Sequence, residues 1–197
     1  FLDAEHKPLE NLTLAGAVRF EKYSDFGNTT TGKLSARYDP TKTVGFRGSI
    51  SSGFRAPSVQ QRFYSSVSTN LNNGVLTETL TAREGSSVAQ AFGIAPLKEE
   101  TSTSGSVGMV LRPAKNMSLT VDAYQIKIKD RIVFSSEIAP EAGGGPITNI
   151  LRPLGVGQAQ FFTNAVDTRS RGVDIVAEHT TRCAASSLVL SGQLGFN

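Results

Sequence analysis

The chain has 197 residues, 39% of them apolar and 19% charged, a composition that excludes wholesale disorder. Its net charge of +3 comes from scattered Lys and Arg with no aromatic-interleaved basic stripe, which leaves nucleic-acid binding without support. Cys183 is the one cysteine, so neither an internal disulfide framework nor a cysteine-based zinc site can be built, and Trp is absent.

From the N-terminus, the first clear element is NLTLAGAVRFEKY (11–23). Leu12, Leu14, Gly16, Val18 and Phe20 alternate with Thr13, Ala15, Ala17, Arg19 and Glu21, a period of two that predicts a strand with one apolar and one polar face. A short turn around SDFGN leads to a second strand over 29–38. DPTK (39–42) forms a tight turn, and a third strand covers 43–55, with Val44, Phe46, Ile50 and Phe54 opposing Arg47, Ser49, Ser51 and Arg55.

SGFRAPSVQQRFY ends that strand at Pro57 and opens an irregular stretch over 56–98. Further strands are predicted over 99–111 and 117–133, separated by RPAKN. The second changes parity midway, from Met117, Leu119 and Val121 on one face to Tyr124, Ile126 and Ile128 on the other. A β-bulge near Ala123–Gln125 would reconcile its two halves. A second long loop, 134–160, carries GGGP. The chain is then extended from Phe161 to Thr180, turns around Arg182–Ser186, and enters a strand with Leu188, Leu190, Leu194 and Phe196 on one face.

The fold class is thus all-β, with about seven antiparallel amphipathic strands. Alternation alone fits a soluble sandwich and a transmembrane barrel equally. Strand length favours the barrel, because about 10–15 residues exceeds the usual 5–6 and suits a tilted membrane crossing. So do the loops, short on one side and long on the other apart from the turn near Ser24–Asn28. No apolar run reaches the length of a membrane helix, which says nothing against a barrel. Phe20, Tyr23, Tyr38, Phe54 and Phe134, near strand ends, suit interfacial girdles.

Four segments carry a family likeness. GSISSGFRAPSVQQRF resembles the strand of TonB-dependent outer-membrane receptors that ends in Phe-Arg-Ala-Pro-Ser. LKEETSTSGSVGMVL resembles their Leu-Lys-Pro-Glu-Thr-Ser stretch, with Glu99 in place of Pro. LTVDAYQIKIKDRIV and FTNAVDTRSRGVDIVAEH resemble the two strands that follow, the latter with Asp174 where Glu is commoner.

The resemblance implies a piece from the later half of a barrel of about 22 strands, with the plug domain, the TonB box and the final strands absent. About seven strands cannot close such a barrel, so the chain is expected to be a fragment. It implies active import across the outer membrane of a Gram-negative bacterium, with the TonB complex as partner through the missing plug, outer-membrane lipid around the barrel and a small cargo, most often a ferric siderophore. Residues 56–98 and 134–160 become extracellular loops.

By parity, Arg47, Arg55, Asp122, Asp174 and Glu178 face the lumen and meet the plug, or are simply paired or solvated there. In the loops, Gln61, Arg62, Tyr64, Arg83, Phe92, Arg152, Phe161 and Phe162 are candidates to stack on or pair with an anionic cargo, with ordinary loop packing the competing role for each. No catalytic residue, metal ligand or cofactor is expected: the sequence has no Gly-x-Ser-x-Gly elbow and no His-Glu-x-x-His. His6 and His179 lack spaced partners, adjacent Glu99 and Glu100 point to opposite strand faces, and GVGQAQ (155–160) lacks the third Gly of a dinucleotide loop. The alternatives are a soluble extracellular β-sandwich or adhesin-like binding module, and an outer-membrane enzyme on a barrel scaffold.

Overall fold

A computed structural model describes residues 1–23, 27–72, 74–183 and 186–197. In chain order the elements are β1 (Leu2–Leu9), β2 (Leu12–Tyr23), β3 (Gly27–Tyr38), β4 (Val44–Arg55), α1 (Val59–Phe63), β5 (Ser66–Asn72), β6 (Val75–Thr81), α2 (Ser87–Ala91), β7 (Glu100–Ala114), β8 (Met117–Phe134), α3 (Pro146–Leu151), a 3-10 turn (Arg152–Leu154), β9 (Gln158–Gln160), β10 (Phe162–Cys183) and β11 (Ser186–Phe196). The turns expected around 24–28 and 182–186 fall partly outside the described residues.

One sheet runs β1-β2-β3-β4-β7-β8-β10-β11, eight strands where the sequence suggested about seven. The addition is β1, in which Leu2, Ala4 and His6 alternate with Asp3, Glu5 and Lys7, paired antiparallel to β2 from Leu2↔Val18 to Leu9↔Leu12. A smaller sheet, β5-β6-β9, pairs β5 antiparallel and β9 parallel to β6.

The chain divides into two compact units. The first comprises Phe1–Phe54, Thr101–Ile128 and Thr168–Asn197. Its pairings carry one face across the strands in register: His6↔Leu14↔Ala36↔Gly48, Ala4↔Gly16↔Leu34↔Ile50 and Leu2↔Val18↔Gly32. That face is apolar, yet its large side chains are exposed, Leu34 by 65%, Ile50 by 56% and Val107 by 66%. None of the buried hydrophobic residues among those described lies in this unit. A soluble sandwich would bury this face, so the arrangement is that of a sheet whose apolar side meets lipid. Tyr38 opposite Phe46 marks one end of the apolar band and Phe20 the other. From Leu12, the partner of Tyr38, to Phe20 is roughly 26 Å along the strand at about 3.3 Å per residue, or about 20 Å of height at a tilt of about 40°, within the apolar band of an outer-membrane barrel.

The turns of this unit sort to two ends. The Asp39 N–H donates to the Asn11 carbonyl, Arg112 N–H to Thr43 and Thr180 N–H to Asn116, which gathers the β1–β2, β3–β4 and β7–β8 turns at one end. Tyr23 and Gly27, the last described pair of β2 and β3, lie at the other.

The second unit, Arg55–Glu100 and Lys129–Asp167, holds a hydrophobic core of Ala82, Ala89, Leu151, Val156, Ala159 and Phe161, with Leu80, Val88 and Ile138 packed on it. The two long segments are therefore folded, where the sequence led us to expect irregular chain.

The bulge expected near Ala123–Gln125 is not there. Ser118 meets Glu178, the Cβ position of Gly172 falls against Tyr124, and Arg171 meets Gln125, one uninterrupted register between β8 and β10. The irregularity lies at Asp130, whose φ of 56° makes it the one non-glycine left-handed residue among those described. Its N–H donates to the Asp167 carboxylate at 3.0 Å. An Asp tolerates that conformation better than a branched residue would.

Candidate functional site

The polar face of the first unit is built from small hydroxyls and paired charges. Ser49 bonds Ser106 at 2.9 Å and Ser51 bonds Ser104 at 2.7 Å, so one strand's number falls as the other's rises, as antiparallel β4 and β7 require. In the same register Arg47 lies opposite Gly108. Arg47 reaches past that glycine to Asp122 on β8, Nε donating to Oδ1 at 2.9 Å, with a second bond from Nη2 to Oδ2. A Cβ on Gly108 would stand 1.9 Å from Asp122 Oδ1 and 3.2 Å from Arg47 Nε, so the missing side chain is what gives the pair room.

Glu178, on the same face, accepts from Ser118 Oγ at 3.3 Å. Asp174 lies against Gly195 on β11, 3.1 Å from that glycine's Cβ position. At the turn end, Arg37 donates to Asp39 from Nε at 2.7 Å and from Nη2 at 3.2 Å, with Arg112 3.9 Å away. The Arg37 hydrogen bond holds the Asp39 carboxyl below its usual range.

In the second unit, Arg55 is paired. Its guanidinium grips the Glu100 carboxylate with two bonds, Nε to Oε2 at 2.9 Å, and Glu100 Oε1 also accepts the Ile132 N–H at 2.8 Å. Glu100 is buried, 6% exposed, and its sequence neighbour Glu99 gave no hint of that role. Pro57 is buried and Ser58 caps α1: its Oγ accepts from Gln61 N–H at 3.2 Å while Gln61 Oε1 accepts from Ser58 N–H at 2.9 Å. Phe-Arg-Ala-Pro-Ser is thus a punctuation mark, with an ion pair to close the strand, a proline to stop it and a capping box to start the next helix.

This local order sorts the cargo candidates. Gln61 is occupied by the capping box. Arg62, only 18% exposed at its side chain, pairs with Glu84 at 3.0 Å and lies 5.1 Å over the Phe63 ring. Phe161 is buried at 1% exposure, with Phe92 5.1 Å away by ring centroids, so it belongs to the core and presents nothing to a ligand. Phe162 packs on Phe134 at 4.7 Å. Tyr64, Arg83 and Arg152 remain exposed.

Sequence reasoning missed one further cluster. The Asn164 amide donates to the carbonyls of Lys98 at 3.0 Å and Asp130 at 2.6 Å, and its oxygen accepts the Lys98 N–H at 2.9 Å. The Lys98 ammonium pairs with the Asp130 carboxylate at 2.9 Å. One amide side chain ties three segments together. Among the described residues, no group of three or more His, Cys, Asp or Glu side chains is placed to hold a metal.

Comparison with known proteins agrees with this geometry. The family model described as TonB dependent receptor-like, beta-barrel, matches residues 1–197. The chain belongs to that family, whose members are transporters of the Gram-negative outer membrane and not enzymes.

Among solved structures, the siderophore receptor PirA of Pseudomonas aeruginosa superposes with a TM-score of 0.67 at 15% identity, over 98% of this chain and 33% of that one. A variant of the ferric enterobactin receptor PfeA of the same organism, in complex with enterobactin, gives 0.66 at 17% identity over 96% and 26%. The RagAB peptide importer gives 0.54 at 12% identity over 95% and 20%. These likenesses show the fold, and the chain spans a third or less of each relative's length. No curated protein matches the chain in sequence.

Proposed function

We propose that this chain is the barrel segment of a receptor that imports a ferric siderophore actively, driven through TonB. The observation that carries the import reading is the two-faced sheet: an apolar side left bare across β1–β4 and a polar side of serines and ion pairs, as the wall of a wet transmembrane channel requires. The siderophore choice is supported by the receptors PirA and PfeA among its structural neighbours.

In this reading residues 56–98 and 134–160 are extracellular and close over cargo. Exposed Tyr64, Arg83 and Arg152 are the side chains able to stack on or pair with an anionic chelate. Arg47, Asp122, Asp174 and Glu178 line the lumen, where the plug sits. Arg47 and Asp122 are bonded to each other, so their part is to stiffen the wall that the plug slides against. Arg55, bonded to Glu100, holds the entrance to the first long loop.

The test is uptake of radiolabelled iron by iron-starved cells carrying the complete receptor, its deletion, or the deletion complemented with Arg83→Ala/Arg152→Ala. Loss in the deletion strain, dependence on TonB and a weakened apparent affinity in the double variant would support the proposal. Normal iron uptake in the deletion strain would overturn the siderophore cargo, and uptake of peptide in its place would put this receptor with the peptide importers.

A further inference from the structure

The apolar face of β1–β4 is pitted. Two overlapping depressions, of about 510 and 540 Å³, share Ala4, Gly16, Leu34 and Ile50. The register explains them. Ala4 and Gly16 are paired and short, so they form a floor. The neighbouring rows put Leu2 and Val18 on one side of that floor and His6 and Leu14 on the other. Leu34 and Ile50, paired with each other on β3 and β4, make the third wall. Beyond that ridge the rows turn small again, at Gly32 on one side and at Ala36 and Gly48 on the other. Leu34 leans over the floor, its Cδ2 3.2 Å from the Cβ position of Gly16, so a side chain there would meet the ridge.

We infer that this pit holds an acyl chain of a membrane phospholipid at a fixed place on the barrel. The occupant follows from continuity: the pit lies within the apolar band between Tyr38 and Phe20, on the side that faces lipid, and the inference rests on that reading. Lipid tails are as apolar as leucine, so no hydrophobic gain separates this site from the rest of the band. What separates it is contact. A chain lying over Ala4 and Gly16 touches side chains on three sides, whereas one lying on a flat row touches a single side, and each added contact contributes dispersion energy. The expected preference is modest, about threefold over neighbouring surface, the scale of packing interactions inside membranes.

The experiment uses the complete receptor in nanodiscs of phosphatidylethanolamine carrying a diazirine on one acyl chain, with labelled peptides quantified by mass spectrometry. Leu194 and Phe196 on β11, each 62% exposed and paired with Ile175 and Val173, form two adjacent rows with no small residue and serve as the flat reference. Labelling about threefold denser around Ala4, Gly16 and Leu34 than around Leu194 and Phe196 is expected. Ala4→Leu and, separately, Leu34→Ala should level the two while leaving β11 unchanged; because one fills the floor and the other removes a wall, on different strands, failure of one variant to insert leaves the other decisive. Equal labelling in the unmodified receptor would overturn the site. No lipid label on either region would also overturn it, together with the lipid-facing reading itself.

Discussion

Arg47 and Asp122 are bonded across an intervening strand, and Gly108 is the residue that lets them meet. Ion pairs between neighbouring strands are ordinary; one that skips a strand needs a gap in it. Replacing Gly108 with valine should push the Asp122 carboxylate aside and break the bidentate contact. Arg47 is 51% exposed at its side chain, so solvent screening keeps the cost near 1 kcal/mol. Thermal unfolding of the complete receptor in detergent should show a small drop, and Arg47→Met in the Gly108→Val background should add almost nothing.

The Arg55–Glu100 pair should respond asymmetrically. Removing Arg55 leaves a carboxylate only 7% exposed at its side chain with the Ile132 N–H as its remaining partner, whereas removing the charge of Glu100 leaves a guanidinium 56% exposed and able to hydrate. Arg55→Met should therefore cost more, on the order of 3 kcal/mol, than Glu100→Gln, about 1 kcal/mol, because glutamine still accepts from Ile132. Equal losses in denaturant titrations would contradict the burial argument.

Much of the first unit could be read from the chain, and little of the second. Leu12, Leu14 and Val18 against Thr13, Ala15 and Arg19 state a strand without ambiguity, and the same period lies in β1, where Asp3, Glu5 and Lys7 masked it by their charge. In β8 the parity change has no bulge behind it: the register is unbroken from Ser118 to Gln125, so Ile126 and Ile128 share a face with Asp122 and only their surroundings differ. The second unit resisted because its helices are one turn long, β9 has three residues, and its core uses small side chains such as Ala82, Ala89 and Ala159 that no periodicity flags. Phe161 looked like a cargo aromatic for the same reason; only tertiary packing reveals that it is the core's largest member.

Asn164 should be irreplaceable by a non-amide. Asn164→Ala strands the Lys98 N–H and leaves the Asp130 carbonyl without this donor, a loss of about 2 kcal/mol, and Asn164→Asp keeps the acceptor but forfeits both donated bonds. Hydrogen exchange should report it as faster exchange at Lys98 with little change at the β2–β3 ladder. Uniform acceleration throughout the receptor would argue against a local clamp.

Asp39 gives the pH dependence its sign. Its folded carboxyl is held below the ordinary 3.8, mainly by the Arg37 hydrogen bond. The stabilisation is therefore complete above the unfolded value and lost as pH falls through the folded one. Between about pH 5 and pH 3 the unmodified receptor should lose more thermal stability than Asp39→Asn, which has no charge there to lose. Parallel pH profiles would remove Asp39 from the account.

Because Arg55 and Glu100 are joined, the strands they end and begin are brought together across a stretch of 45 residues. Were that stretch slack, closing it would carry the entropy of a long ring, and the β4–β7 ladder would wait on a rare encounter. It is not slack: β5 and β6 fold back on each other within it, and α1 and α2 order two further short segments. The chain to be closed is effectively much shorter than its residue count, so the folded segment between Arg55 and Glu100 doubles as an assembly aid for the β4–β7 ladder.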